Sequence, residues 1–188
     1  MSTAYATECW LTPSAKANPS PIHGNGLFAI EQIRQDEVIM RLGGQLINDE
    51  ALTTLTPPYS SLTVEESVHL LLDPAHPVRY GNHSCEPNLW HRDATTVIAR
   101  HDINPGDELT IDYATHTGVA TWSMACRCGK VRCRRTVTGN DWQLPQLQSA
   151  YGTHWSPPLL ERIRCSPGAW RSRRGPACRA GATRWWAS

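Results

Sequence analysis

Arg79-Tyr80-Gly81-Asn82-His83-Ser84-Cys85-Glu86-Pro87-Asn88 is a polar, turn-prone run set inside apolar sequence. Buried polar groups need hydrogen-bond partners, so such a run is either a solvated loop or part of a binding site. Taken alone it reads as a loop. Downstream, Asn104-Pro105-Gly106-Asp107 is a strong turn sequence flanked by two β-rich runs, 95–99 and 108–113. The second run, Glu108-Leu109-Thr110-Ile111-Asp112-Tyr113, predicts a strand ending in Tyr113; a strand tyrosine by itself is more often core than catalyst. Upstream, His23-Gly24-Asn25-Gly26-Leu27-Phe28 has two glycines that would let the backbone approach a ligand closely, which is weak evidence in isolation. Further on, Cys126, Cys128 and Cys133 offer three thiolates within eight residues, and Gly129 allows a tight turn around an ion. A structural zinc site wants a fourth ligand. Cys9, Cys85, Cys165 and Cys178 are the remaining cysteines, and spacing does not choose among them.

Composition frames these motifs. A chain of 188 residues that is 40% hydrophobic is sized for one domain plus a tail. Seven cysteines, an odd number with three crowded together, suit metal binding better than a disulfide framework. No stretch reads as a membrane span or secretory leader, so the expectation is a soluble protein in the cytoplasm, a reducing compartment. The net charge of +1 conceals a division along the chain. Met1 to Ala125 holds six basic and fifteen acidic residues, a balance of −9, whereas Arg162 onward holds seven arginines and no carboxylate. An acidic body favours cationic partners such as lysine-bearing peptides; the plainer reading is a solvated acidic surface.

The element pattern is mainly β. Pro13, Pro19 and Pro21 keep residues 1–21 as an extended lead-in, with order expected from about Ile22. Short apolar runs from Leu27 to Ile47, separated by polar turns, predict short strands. The segment 60–72 could be a capped helix through Thr63 and Glu66, but its alternation favours a hairpin. After the cysteines, 141–151 predicts a short helix. Ser156-Pro157 predicts another, capped by the serine and ending near Arg164. Residues 165–188, rich in Arg, Gly, Pro and Trp without period, predict a disordered tail.

In this order, the Gly24-x-Gly26 loop, Asn82-His83-Ser84-Cys85 with Pro87-Asn88, the Glu108-to-Tyr113 strand and the three-cysteine segment resemble the SET-domain family of protein-lysine methyltransferases. The resemblance implies a SET domain over 22–115, a post-SET zinc segment over 122–139 and a short helical extension over 140–164. It implies short curved β-sheets in which the Asn82 and Tyr113 segments meet by threading through a loop. Carried over residue by residue, Gly24, Asn25 and Gly26 would hold the methionine end of S-adenosylmethionine with their backbone. Asn82 would contact the cofactor through its amide and His83 through its backbone. Tyr113 would be the catalytic tyrosine, also touching cofactor, and Cys85 the fourth ligand of a structural zinc. The sequence departs from the family at Leu42, where many relatives have tyrosine, at Ile111, where an aromatic is frequent, and at Arg135, where glycine is common.

The implied reaction suits these residue types. Methyl transfer from a sulfonium to a neutral amine is an in-line displacement, so the protein must chiefly align the groups and disperse charge. The implied partner is a protein with an exposed lysine, basic histone-like proteins being the family-level expectation, with no membrane partner. Two other readings compete. One is a catalytically weak SET-like module that holds cofactor or a basic peptide; intact Asn82, His83 and Tyr113 argue against it. The other is a zinc-stabilised nucleic-acid binder, prompted by Arg127, Lys130, Arg132, Arg134 and Arg135; it lacks the paired Cys/His spacing of finger modules and ranks last.

Overall fold

Short apolar runs broken every few residues by turns cannot form long helices, and the computed structural model, which describes residues 5–166, is built from short strands. In chain order these are β1 (Trp10–Leu11), β2 (Ala15–Pro19), β3 (Asn25–Ala29), β4 (Val38–Arg41) and β5 (Gly44–Asn48). After helix α1 (Asp49–Thr54) come β6 (Ser61–Glu65), β7 (Val68–Leu72), β8 (Asn82–His83), β9 (Leu89–His91), β10 (Thr96–Ala99) and β11 (Glu108–Ile111). The hairpin β12 (Ser123–Ala125) and β13 (Thr136–Thr138) precedes helices α2 (Pro145–Tyr151) and α3 (Pro157–Cys165). None of the helices among the described residues is long and apolar enough to cross a membrane.

Three small sheets enclose the main core. Their strand orders are β1-β4-β10-β9, β2-β3-β11-β8 and β5-β7-β6. Leu27, Ile33, Ile39, Leu70, Leu89 and Leu109 are fully or almost fully buried between them. The pairing of β8 with β11 is parallel, Thr110 opposite Asn82 and Ile111 opposite His83. Parallel neighbours cannot be joined by a tight turn. Here the crossover contains β9 and β10, and it brings two distant polar motifs side by side.

Several expectations need correction. The lead-in is ordered well before Ile22: β1 pairs with β4, and all five residues of β2 pair with β3. The prolines mislead because β2 is an edge strand, where Pro19 removes no needed ladder bond. The Cys9 thiol donates to the Gly43 carbonyl at 3.0 Å, tying the lead-in down further. The hairpin of 60–72 forms as β6–β7, whereas α1, capped by the Asn48 side chain, was not foreseen. Tyr113 does not end a strand: β11 stops at Ile111, and Asp112 caps a 3₁₀ turn over Tyr113–Thr115 by accepting from Ala114 N at 3.0 Å. The helix expected over 141–151 is a 3₁₀ turn, Asp141–Gln143, followed by α2. Proline does start α3, yet Ser156 gives no side-chain cap, its Oγ being buried without a partner among the described residues. The expected tail lies outside the described residues except for Cys165, the last residue of α3, and Ser166, which follows it.

The C-terminal extension is not an appendage. Ala114, in the turn that begins at Tyr113, is buried in a second core with Leu147, Tyr151, Trp155 and Leu159, and Ser156 N donates to Thr115 O at 2.8 Å. Arg162 of α3 reaches back to the Glu66 carboxylate, with Nε at 3.1 Å.

Candidate active site

The Gly24–Gly26 loop opens β3, and β11 lies between β3 and β8, so strand order alone brings loop, Asn82 and His83 together. Gly24 has φ +51°, a conformation that side chains resist, and nothing stands within 4 Å of where its Cβ would be. At Gly26 a Cβ would strike the Glu108 carboxylate. The Asn82 amide nitrogen donates to His23 O at 3.2 Å, Asn25 O at 3.0 Å and Glu108 Oε1 at 2.9 Å. In this structure that amide holds the loop in place.

Tyr113 stands at the other end of the same strand pair. Its backbone N–H donates to His83 Nδ1 at 3.2 Å, and its hydroxyl donates to Gly81 O at 2.9 Å. Burial, reinforced by the Glu108 carboxylate, pushes the phenol up to about 12. It therefore stays protonated at neutral pH and is no base. The Glu108 field that reaches Tyr113 is negative, as a cationic cofactor would require.

Two clefts meet this wall. A cavity of about 340 Å³ is lined by Gly81 and Tyr113 with Leu42, Val97, Ile111 and Trp122. The residues at the two departures, Leu42 and Ile111, thus form apolar wall. A second cleft of about 840 Å³ is bounded by Glu108 and Thr110 of the body and by Lys130 and Arg132 of the cysteine segment. Thr110 and Ile111 are successive residues of β11 and so point to opposite faces, one toward each cleft.

Cys85, Cys126, Cys128 and Cys133 converge, their sulfurs all within 4.8 Å of one another. Gly129, at φ +67°, makes the turn between them. The Cys85 and Cys126 sulfurs are 3.8 Å apart, the edge of a tetrahedron with Zn–S of ~2.3 Å. Burial pushes Cys126 up, and Cys85 to about 11. At Cys128 burial is outweighed by hydrogen bonds from the Cys85 and Lys130 backbone and from neighbouring thiols, leaving it near about 7. The donor set fits zinc.

Arg134, next to Cys133, fastens this segment to the site. Its two terminal nitrogens lie 2.6 and 2.7 Å from the carboxylate of Asp112, which is wholly buried, and its Nε lies 3.0 Å from Asp141. The Tyr151 hydroxyl donates to Asp112 at 2.8 Å. Asp112 thus joins the zinc segment, the Tyr113 turn and α2. Asp112 has no role assigned from sequence; its local signal is a carboxylate between the apolar Ile111 and Tyr113, just past the end of β11.

Comparison with known proteins follows the same lines. Residues 24–114 match the SET domain family. The chain is 30% identical over 131 residues to histone-lysine N-methyltransferase set-2 of Caenorhabditis elegans, covering 61% of this chain and 9% of that protein. It is 29% identical over 136 residues to human histone-lysine N-methyltransferase 2B, covering 62% and 5%. It therefore spans less than a tenth of the length of these relatives. Among solved structures, the methyltransferase domain of human histone-lysine N-methyltransferase SETMAR superposes with TM-score 0.55 at 21% identity, covering 66% of this chain and 58% of that one. KRYPTONITE in complex with mCHG DNA and SAH gives TM-score 0.52 at 22% identity, covering 65% and 28%.

Proposed function

We propose that this chain, whose residues 24–114 match the SET domain family, transfers a methyl group from S-adenosylmethionine to a lysine side chain of a protein. The observation that carries this reading is the convergence of the Gly24–Gly26 loop, Asn82, His83 and Tyr113 on one parallel strand pair beside an apolar channel. The sequence relatives are histone-lysine methyltransferases and one structural neighbour was solved with SAH, which supports both the acceptor and the donor.

S-adenosylmethionine, when bound, supplies an electrophilic methyl on a sulfonium; the backbone of Gly24, Asn25, Gly26 and His83 would hold it, with Glu108 supplying negative charge nearby. The protein's own contribution is positional. The channel walls Leu42, Val97, Ile111 and Trp122 bind the aliphatic stem of lysine and strip water from it. Desolvation disfavours the charged ammonium, so the amine is delivered with its lone pair free. The Tyr113 hydroxyl donates its hydrogen bond to Gly81 O, which leaves the oxygen lone pairs for weak C–H···O contacts that orient the reacting groups. Cys85, Cys126, Cys128 and Cys133 would hold a zinc ion, and four sulfur ligands would leave it no place for a substrate, so its part would be to fold the closing segment. The acidic body favours a basic substrate such as a histone-like protein, and thiols that must stay reduced to bind zinc suit the cytoplasm.

The test is incubation of zinc-loaded protein with methyl-labelled cofactor and a panel of basic proteins. Label on lysine is the expected result. Cofactor binding without transfer to any protein would contradict the reading and leave a binding module.

A further inference from the structure

The channel beside Tyr113 contains a pair of histidines with no part in the reaction derived above. His91, at the end of β9, is buried, and its Nε2 lies 3.1 Å from Nδ1 of His116. Their rings meet edge to face at 5.2 Å, and the His116 ring stands 5.5 Å from that of Tyr113. Both line the same cavity as Leu42 and Ile111.

One proton must lie between the two imidazoles, on His91 Nε2 or on His116 Nδ1. His91 Nδ1, the ring nitrogen turned away from His116, has no hydrogen-bond partner among the described residues, and the Asp93 backbone and carboxylate raise the proton affinity of the His91 ring as a whole. With Nδ1 protonated, neutral His91 presents Nε2 as an acceptor, so His116 carries its own proton on Nδ1. His116 Nε2 is then a bare lone pair, and it has no hydrogen-bond partner among the described residues. Burial keeps the pair uncharged: His91 is pushed down to about 4, and His116 is held well below its usual value by burial and then by His91 and His83. The other groups facing the pair are the Tyr113 phenol, the Asp93 carboxylate and His154, whose Nδ1 is 2.8 Å from His91 O.

We propose that His116 Nε2 accepts a hydrogen bond from the target amine and thereby limits the number of methyl groups added, an inference that rests on the transferase reading above. Attack requires the nitrogen lone pair to face the donor methyl. A primary amine in that pose has two N–H groups to spare and a monomethyl amine has one, so either satisfies His116. A dimethyl amine has none, and one of its methyls would press on the imidazole lone pair while Ile111 and Leu42 close the remaining wall. In each round one C–N bond forms and the donor C–S bond breaks, with its electron pair returning to sulfur. The methylammonium product releases a proton to water before the next round. The chain therefore stops at dimethyllysine.

Mass spectrometry of the methylated protein tests this. Wild type should yield mono- and dimethyllysine, and His116→Ala should raise the trimethyl fraction by at least about tenfold, since a barrier change of ~1.4 kcal/mol suffices. Nitrogen-15 NMR of wild type without cofactor supplies a check that needs no variant: His116 should carry its proton on Nδ1 and show an unprotonated Nε2. The opposite tautomer, or a trimethyl fraction unchanged by His116→Ala, overturns the inference while label on lysine still upholds the transferase. No label on lysine from wild type overturns both.

Discussion

The Tyr113 hydroxyl makes one hydrogen bond, to Gly81 O, and it is this oxygen that the proposed reaction uses. Tyr113→Phe should leave cofactor affinity within about twofold and lower transfer at least about tenfold, the equivalent of ~1.4 kcal/mol of barrier. Unchanged turnover would remove Tyr113 from the mechanism. His91 gives a prediction about pH. Burial lowers its native pKa to about 4, below the unfolded value of ~6.5, so between those values the unfolded chain binds the extra proton. Stability is full above pH ~6.5 and falls on acidification by up to about 1.4 kcal/mol per pH unit from this residue. Urea midpoints measured from pH 7 to 5 should decline, and a flat profile would contradict a buried neutral His91. Arg135 shows how much one position can disclose: a non-glycine side chain stands there at φ +66°. A left-handed side chain costs ~1–2 kcal/mol. Arg135→Gly should therefore stabilise by about 1 kcal/mol, and a lowered melting temperature would show that the side chain is needed. Tyr113, Asn82 and Cys85 could be named from sequence because each sits in a motif of fixed spacing. His91 and His116 could not, since lone histidines 25 positions apart meet only through the fold.

At the scale of elements, the closing segment is the least self-sufficient part of the chain. Its small core has Val137 and two cysteines buried, with Tyr113 and Trp122 packed alongside, whereas the body has a large core of its own. Zinc should be present at one ion per chain with Zn–S of ~2.3 Å, and a chelator should disorder the segment and stop transfer before the body unfolds. Active protein devoid of metal by elemental analysis would refute this. The Arg134–Asp112 pair carries the linkage between segment and site. Asp112→Asn keeps the shape but leaves a mostly buried guanidinium short of its partner, so a loss of ~3–5 kcal/mol is expected in chemical denaturation. A loss under 1 kcal/mol would mean that the network is relaxed by solvent. The three-cysteine cluster was evident in the sequence because thiolate spacing is a local signal. The linkage was not, because Asp112, Arg134 and Tyr151 belong to three different elements. Likewise the lead-in was misread from its prolines, whose restriction matters inside a sheet and hardly at all on the edge where β2 lies.

Over the whole molecule, three sheets enclose the core, and one of them supplies a wall, β11 beside β8, with an apolar channel on one face and a charged cleft on the other. That arrangement suits a donor and an acceptor that enter from opposite sides. The mainly β class followed from the spacing of apolar runs, but the parallel pairing at the heart of the site has no local sequence code and became visible only through the order of motifs. The most direct test of the transferase reading is tandem mass spectrometry of a basic protein incubated with the zinc-loaded chain and a cofactor bearing a deuterated methyl group. Deuterated methyl on lysine, strongly reduced by Tyr113→Phe and abolished by chelation, is the predicted result. Label absent from lysine, or label equal in wild type and Tyr113→Phe, would contradict it.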